Sequence, residues 1–192
     1  MGKAIGRKQA CTRRRKNGIT PPSMRLSSAK IPEIAAEMVG LLTQAGDIET
    51  DAPKEVQLDL ESVLNQYVRD EQEVTDKAKD MLAQRGLPQS EYSKLRRLFA
   101  DSKKIKLGED AIDYLLDQLV EMLMYSTNVE EVYAEDVQLR LKLRGPLRKQ
   151  VAQEEELERA VRKQLKHVSE GTSMWEVEYR RMMDDIKRRK GL

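Results

Sequence analysis

The chain is 192 residues long, with 35 Lys and Arg against 33 Asp and Glu and only 4% aromatic residues. That length admits one good core or two small ones, and the core must be aliphatic. A lone cysteine, Cys11, excludes an intrachain disulfide and a cysteine metal centre, and no stretch approaches the roughly 20 apolar residues of a membrane span.

The formal net charge of +2 hides an asymmetry. Residues 1–23 carry Lys3, Arg7, Lys8, Arg13, Arg14, Arg15 and Lys16 and no acid, which leaves the remainder at −5. Only this leader offers a concentrated field to phosphates. It lacks the apolar stretch of a signal peptide, and the three arginines lack the apolar segment of a twin-arginine export signal, so a cytoplasmic location is expected. It ends in Gly18-Ile19-Thr20-Pro21-Pro22-Ser23 and reads as a disordered segment. Met24, which opens the first apolar-periodic segment, is an alternative translation start.

A first helix is predicted from Ser28 to Ala45, capped by Ser27 or Ser28, with Ile31, Ile34, Ala35, Met38, Val39 and Leu42 on one face. Pro32 falls in its first turn, where no intrahelical hydrogen bond is lost. A long helix follows over 54–85, carrying Val56, Leu60, Val63, Leu64, Tyr67, Val68, Val74, Ala78, Met81 and Leu82, and Gly86-Leu87-Pro88 stops it. A shorter amphipathic helix from Ser90 to Lys103 presents Tyr92, Leu95, Leu98 and Phe99. Gly108 to Tyr125 forms the next helix, with Ile112, Leu115, Leu116, Leu119, Val120 and Leu123 inward. Another long helix begins near Ala134, and Gly145-Pro146 predicts a kink or break in it.

The body reads as two copies of one unit. Residues 26–58 match 107–139 at a shift of 81, pairing Leu26 with Leu107, Ile31 with Ile112 and Leu42 with Leu123, and Val56-Gln57-Leu58 with Val137-Gln138-Leu139. After a two-residue insertion, placed at Arg144 to Pro146, Leu64 matches Leu147 and Leu82 matches Leu165. The fold class expected is all-α, with two similar helical repeats joined by an amphipathic linker helix, and a C-terminal helix. The divisions are a leader at 1–23, repeat 1 with linker at 24–104, repeat 2 at 105–168 and the last helix at 169–192. Each repeat is too small to be comfortably stable alone, so the two should pack together.

At the C-terminus, Gly171 closes the long helix and Ser173 with Glu176 makes a capping box. Trp175, Tyr179, Met182, Met183 and Ile186 then form a stripe ending in Lys187-Arg188-Arg189-Lys190. This close, Glu170-Gly171-Thr172, Trp175, Tyr179 and a basic cluster before Gly191, together with the opening Met24-Arg25-Leu26-Ser27 and Lys30-Ile31, resembles the bacterial domain-of-unknown-function family numbered 507 over residues 24–192. The resemblance implies a bacterial origin and a helical fold and carries no activity, so no catalytic residue transfers.

Catalysis finds little support. There is no Gly-rich phosphate loop, nucleophile elbow or Cys–His pair, and the protein is not expected to be an enzyme or to take a cofactor or small-molecule ligand. Asp70, Glu71 and Glu73 recur as Glu154, Glu155 and Glu156, yet helical-bundle metal sites also use paired Glu-x-x-His motifs and this chain has one histidine, His167. No metal site is expected, and His167 reads as a helix-terminal cation. The preferred reading is a binding or scaffold protein acting through protein–protein contacts, self-association included. Its candidate interface is Trp175, Tyr179, Arg180, Arg181, Met182 and Met183, residue types enriched at interface cores. The simpler reading of Trp175 and Tyr179 is that they anchor the last helix to the body. The competing function is nucleic-acid association, through Arg13, Arg14, Arg15, Lys16, Lys187, Arg188, Arg189 and Lys190. No membrane partner is expected.

Overall fold

Helix formers dominate the sequence, and the computed structural model of the protein is accordingly all-α apart from one two-stranded ribbon. It describes residues 26–108, 110–165, 167 and 173–190, with the side chains of 173, 176 and 190 excepted. The predicted disorder of the leader, the start at Met24, the role of Gly171 and the capping box at Ser173 and Glu176 lie outside the described residues.

Among the described residues six α-helices follow in order: α1 (Ile31–Gln44), α2 (Pro53–Arg85), α3 (Tyr92–Lys103), α4 (Asp110–Tyr125), α5 (Asp136–Gln164) and α6 (Ser173–Lys190). The chain enters α1 through a 3-10 turn at Ser28–Lys30. The cap position of α1 is therefore Lys30, and Ser27 makes no side-chain cap bond, contrary to the capping expected of Ser27 or Ser28. Gly86 closes α2 in the left-handed region at φ 57°, letting Leu87 N–H donate to the carbonyl of Leu82 at 3.0 Å.

Four helices build the main core. α1 packs on α2, α2 on α4, α4 on α5 and α5 back on α1, so residues from both halves of the chain share one apolar interior. Ile31, Met38, Leu42, Leu60 and Leu64 meet Leu115, Leu119, Leu139, Leu143 and Leu147 there. Mutual packing of the two halves, expected from their size, is what the fold displays.

At one end of the bundle the two connectors are joined. β1 (Ile48–Glu49) pairs antiparallel with β2 (Glu131–Val132), Ile48 opposite Val132 and Glu49 opposite Glu131. Tyr133 N–H donates to the carbonyl of Asp47 at 2.8 Å, and Thr50 Oγ1 donates to the carbonyl of Asn128 at 2.6 Å. Asp59 accepts from Ser126 Oγ at 2.5 Å and from Asn128 Nδ2 at 3.0 Å. The ribbon lets connector backbone groups satisfy one another where no helix can.

At the other end, the long helices outrun the core and each is covered by the helix that returns along it. α3 lies on α2 around Val74, Ala100 and Ile105, and α6 lies on α5 around Leu157, Val161, Leu165, Tyr179 and Ile186. Within α3 the expected face needs correction. Leu98, predicted inward, is 60% exposed, while Arg96 is buried. The reason is electrostatic: α2 presents Glu71 at that level, and rotating α3 to meet it turns Arg96 in and Leu98 out.

A second correction concerns the break, one of the two outcomes expected at Gly145-Pro146: it does not occur, and α5 runs as one helix through Pro146. Gly145 explains how the helix continues. A Cβ on the residue before proline would press on the ring, and glycine has none. Pro146 itself is buried, flanked by fully buried Leu143 and Leu147, and that packing offsets the lost hydrogen bond.

The two-residue insertion also moves. The buried positions of α2 are Val56, Leu60, Leu64, Tyr67, Glu71, Val74, Ala78 and Leu82, and those 83 residues on, Leu139, Leu143, Leu147, Gln150, Glu154, Leu157, Val161 and Leu165, are all buried too. Residues 34, 35, 38, 39 and 42 of α1 instead match α4 at a shift of 81. The extra pair therefore lies in the connector between α4 and α5, and Val56-Gln57-Leu58 does not correspond in space to Val137-Gln138-Leu139. Val56 is fully buried whereas Val137 is 72% exposed.

Candidate protein-interaction surface

Four of the recurring carboxylates, Asp70, Glu71, Glu73 and Glu154, are held by cations of the returning helices. Glu71 of α2 accepts from Arg96 Nη2 of α3 at 2.5 Å, with both side chains nearly buried. Its counterpart on α5, Glu154, is approached by Lys187 Nζ of α6 at 3.3 Å and by Gln150 Nε2 at 3.4 Å. Asp70 and Glu73 both take Lys103 Nζ, the Asp70 contact at 2.6 Å. These groups therefore clasp each hairpin of helices. Among the described residues no group of three or more His, Cys, Asp or Glu side chains is arranged to hold a metal ion. His167 lies exposed in the turn beyond α5.

Hydrogen bonds from Lys103 and then Lys77 pull the Glu73 carboxyl down to about 2. A depressed carboxyl contributes stability above its ordinary range of about 4.5 that is lost as pH falls toward 2. The stability difference between wild type and Glu73→Gln should therefore shrink across that interval, and a carboxyl-carbon NMR titration of Glu73 should show a midpoint well below 4.5. A midpoint at the ordinary value would show that Lys103 does not hold this group in solution. Nearby, burial pushes the Tyr67 hydroxyl far up, with the charge of Glu71 adding to it, while Tyr67 donates to the carbonyl of Lys106 at 3.1 Å.

The residues of α6 divide by face. Trp175 is half-buried and stacks on Tyr179, ring centroids 4.7 Å apart and planes 25° from parallel. Tyr179 is buried against Leu157, Val161 and Leu165 of the α5 end, with Met182 and Met183 packed beside it. Arg180 and Arg181 are exposed, as are Met174 and Val177. Trp175→Ala should loosen α6 first, raising amide exchange over 173–190 while α4 keeps its protection. Equal loss of protection in both would mean that the arm and the core unfold as one unit.

Of the cations considered for nucleic acid, Lys187 is engaged by Glu154, and Arg188 and Arg189 are exposed. Arg13, Arg14, Arg15, Lys16 and the side chain of Lys190 lie outside the described residues. Asp184 and Asp185 fall between the two arginine pairs of α6 and divide their field.

A different surface emerges on α5. Val137, Leu139, Leu141 and Leu143 alternate with polar residues, and a helix of 3.6-residue period cannot bury all four. Leu139 and Leu143 are fully buried, leaving Val137 and Leu141 at 72% and 74% exposure on the opposite side. Gly145, Arg148 and Ala152 continue that outer stripe, all exposed. A Cβ at Gly145 would meet nothing within 4 Å beyond its chain neighbours, so the stripe is open there. At the same register α2 carries Lys54, Leu58, Ser62, Asn65 and Arg69, a largely polar face. The alternating pattern was the available signal for this surface.

No helix among the described residues is long and apolar enough to cross a membrane. No curated protein matches the chain. The family described as "Protein of unknown function (DUF507)" matches residues 24–192, the closing motif and both halves included, and the chain belongs to that family.

Proposed function

We propose that the protein is a binding module acting through protein–protein contacts, and that its principal contact surface is the outer face of α5. The observation that carries this reading is the pair Val137 and Leu141, exposed together on a helix whose other large apolar side chains are covered. An apolar stripe with charges at its edges suits a helical partner laid along it. The two halves of the chain fit one duplicated unit in which a long helix carries its own returning helix. On that view the polar face of α2 is the ordinary solvated state, and the apolar face of α5 is a specialised one. A cytoplasmic setting accords with the single cysteine.

Capture of the tagged full chain from cells after nuclease treatment tests the proposal, with Leu141→Arg captured in parallel. Partners that survive nuclease and disappear with Leu141→Arg support it; an unchanged set of partners sinks it. The alternative, nucleic-acid association, draws on exposed Arg180, Arg181, Arg188 and Arg189, and complete loss of partners on nuclease treatment would favour it.

A further inference from the structure

We propose that α6 is a releasable arm. It opens from the far end of α5 as a unit of its own, while α3, the helix in the corresponding place on α2, stays fixed to the core. The inference does not depend on the outer face of α5; it follows from what each half of the chain puts at the root of its arm.

The root is where the long helix leaves the four-helix core. On α2 the buried positions there are Leu64, Tyr67, Glu71 and Val74, so a single charge interrupts the apolar stripe. On α5 the positions 83 residues on are Leu147, Gln150, Glu154 and Leu157, and both buried positions between the two leucines are polar. Local stability follows the density of buried apolar contacts, so a polar break of this kind lets the two sides open separately.

Tyr67 closes the gap in the first half. Its ring belongs to the core and lies 6.1 Å from that of Tyr114 on α4, and its hydroxyl donates to the carbonyl of Lys106, just beyond α3, at 3.1 Å. Tyr114 in turn packs against both the core and the cluster under α3. At the matching places the second half has Gln150 and Glu33. The Gln150 amide turns along its own helix to Glu154 at 3.4 Å, and Glu33 is an exposed carboxylate paired with Lys30 at 3.0 Å. Among the described residues, the side chains clustered under α6 accordingly come from α6 and the end of α5, and none of them belongs to the main core.

The clasps differ in the same sense. Glu71 and Arg96 meet at 2.5 Å with both side chains nearly buried, and Lys103 adds Asp70 and Glu73. Glu154 and Lys187 stand 3.3 Å apart, with Lys187 29% exposed. A hydrated pair separates more easily than a desolvated one, whose separation strands a buried charge. Opening of α6 uncovers Leu157, Val161 and Leu165 on α5 together with Tyr179 and Ile186 on the arm. The closed arm thus conceals the apolar stripe of α6, and release presents it.

The chain's one tryptophan, Trp175, sits in the arm stacked on Tyr179 and reports on it directly. In urea titrations of the full chain, Trp175 emission should shift at a lower midpoint than far-ultraviolet circular dichroism, which follows all the helices. Hydrogen exchange at low urea, corrected for intrinsic rates, should find α6 amides exchanging on the order of tenfold or more faster than those of α3. Tyr114→Ala should cut the tie and bring α3 exchange toward that of α6. Coincident emission and dichroism transitions overturn the inference, as do wild-type α3 amides that open as readily as those of α6. A Tyr114→Ala protein whose α3 keeps the protection of α4 overturns it as well.

Discussion

Replacing Glu71 with Gln should lower stability by about 3–5 kcal/mol, because it leaves the Arg96 guanidinium facing a neutral amide inside the α2–α3 contact. Arg96 and Glu71 side chains are 10% and 11% exposed, so water cannot readily replace the lost carboxylate. For a chain of this size 1 kcal/mol moves the melting temperature by roughly 2–4 °C, and the variant should melt on the order of 10 °C lower. Replacing both partners with apolar residues of similar volume should recover most of that loss, since the desolvation cost disappears with the charges. The equivalent change on the other long helix, Glu154→Gln, should cost only about 1 kcal/mol, because its partner is longer-range and more hydrated. Lys187 lies 3.3 Å away and is 29% exposed. Thermal or urea melts of the three variants beside wild type decide the matter. Equal losses for Glu71→Gln and Glu154→Gln, or a double variant no better than the single one, would show that burial at Arg96 does not control this contact.

Leu139→Ala should cost about 2–5 kcal/mol, whereas Val137→Ala should stay within about 0.5 kcal/mol of wild type. Leu139 is fully buried in the four-helix core and Val137 is 72% exposed two residues earlier. The pair separates two alignments of the halves. A constant shift of 81 sets Val137 against fully buried Val56 and makes it the core residue, whereas a shift of 83 sets Leu139 there. Urea unfolding of the two alanine variants distinguishes them, and a large loss at Val137 with a small one at Leu139 would reverse the register. Val137→Ala should nonetheless weaken partner capture by the outer face of α5, which separates a surface role from a core role at a single residue.

Much of the helical layout is legible in the linear pattern. The six apolar positions predicted inward for α1 are all buried, and α2 differs from its predicted span by a single residue at its start. These segments carry one clean apolar stripe each, and the stripe is defined by neighbours three and four residues away. The burial of Glu71 and Glu154 also has a local sign. Each sits where the spacing of apolar residues on its helix calls for another, so a partner charge was implied even though its identity was not.

The candidate surface was less legible because α5 offers two apolar faces in one segment. Val137 and Leu141 compete with Leu139 and Leu143 for the interior, and periodicity alone does not choose between them. The choice depends on α1 and α4, which take Leu139, Leu143 and Leu147 into the shared core, while Asp113 and Asp117 of α4 and Asp47 of the connector after α1 pair with Arg144, Arg140 and Lys142 at the flanks. Trp175 and Tyr179 illustrate the same limit. Their residue types suit an interface or an anchor equally, and the position of the α5 end turns them onto Leu157, Val161 and Leu165.

By itself, then, the sequence determined the helical class, the approximate spans of the helices and the aliphatic character of the core, because these follow from backbone preferences and contacts within a turn or two. Only the tertiary structure decided that Arg96 is buried, that α5 passes through Pro146, that the connectors form a ribbon, and which face of α5 remains open. Each of those outcomes balances a local cost, such as a desolvated charge or a missing hydrogen bond, against contacts with residues tens of positions away, and that balance exists only once the helices have met.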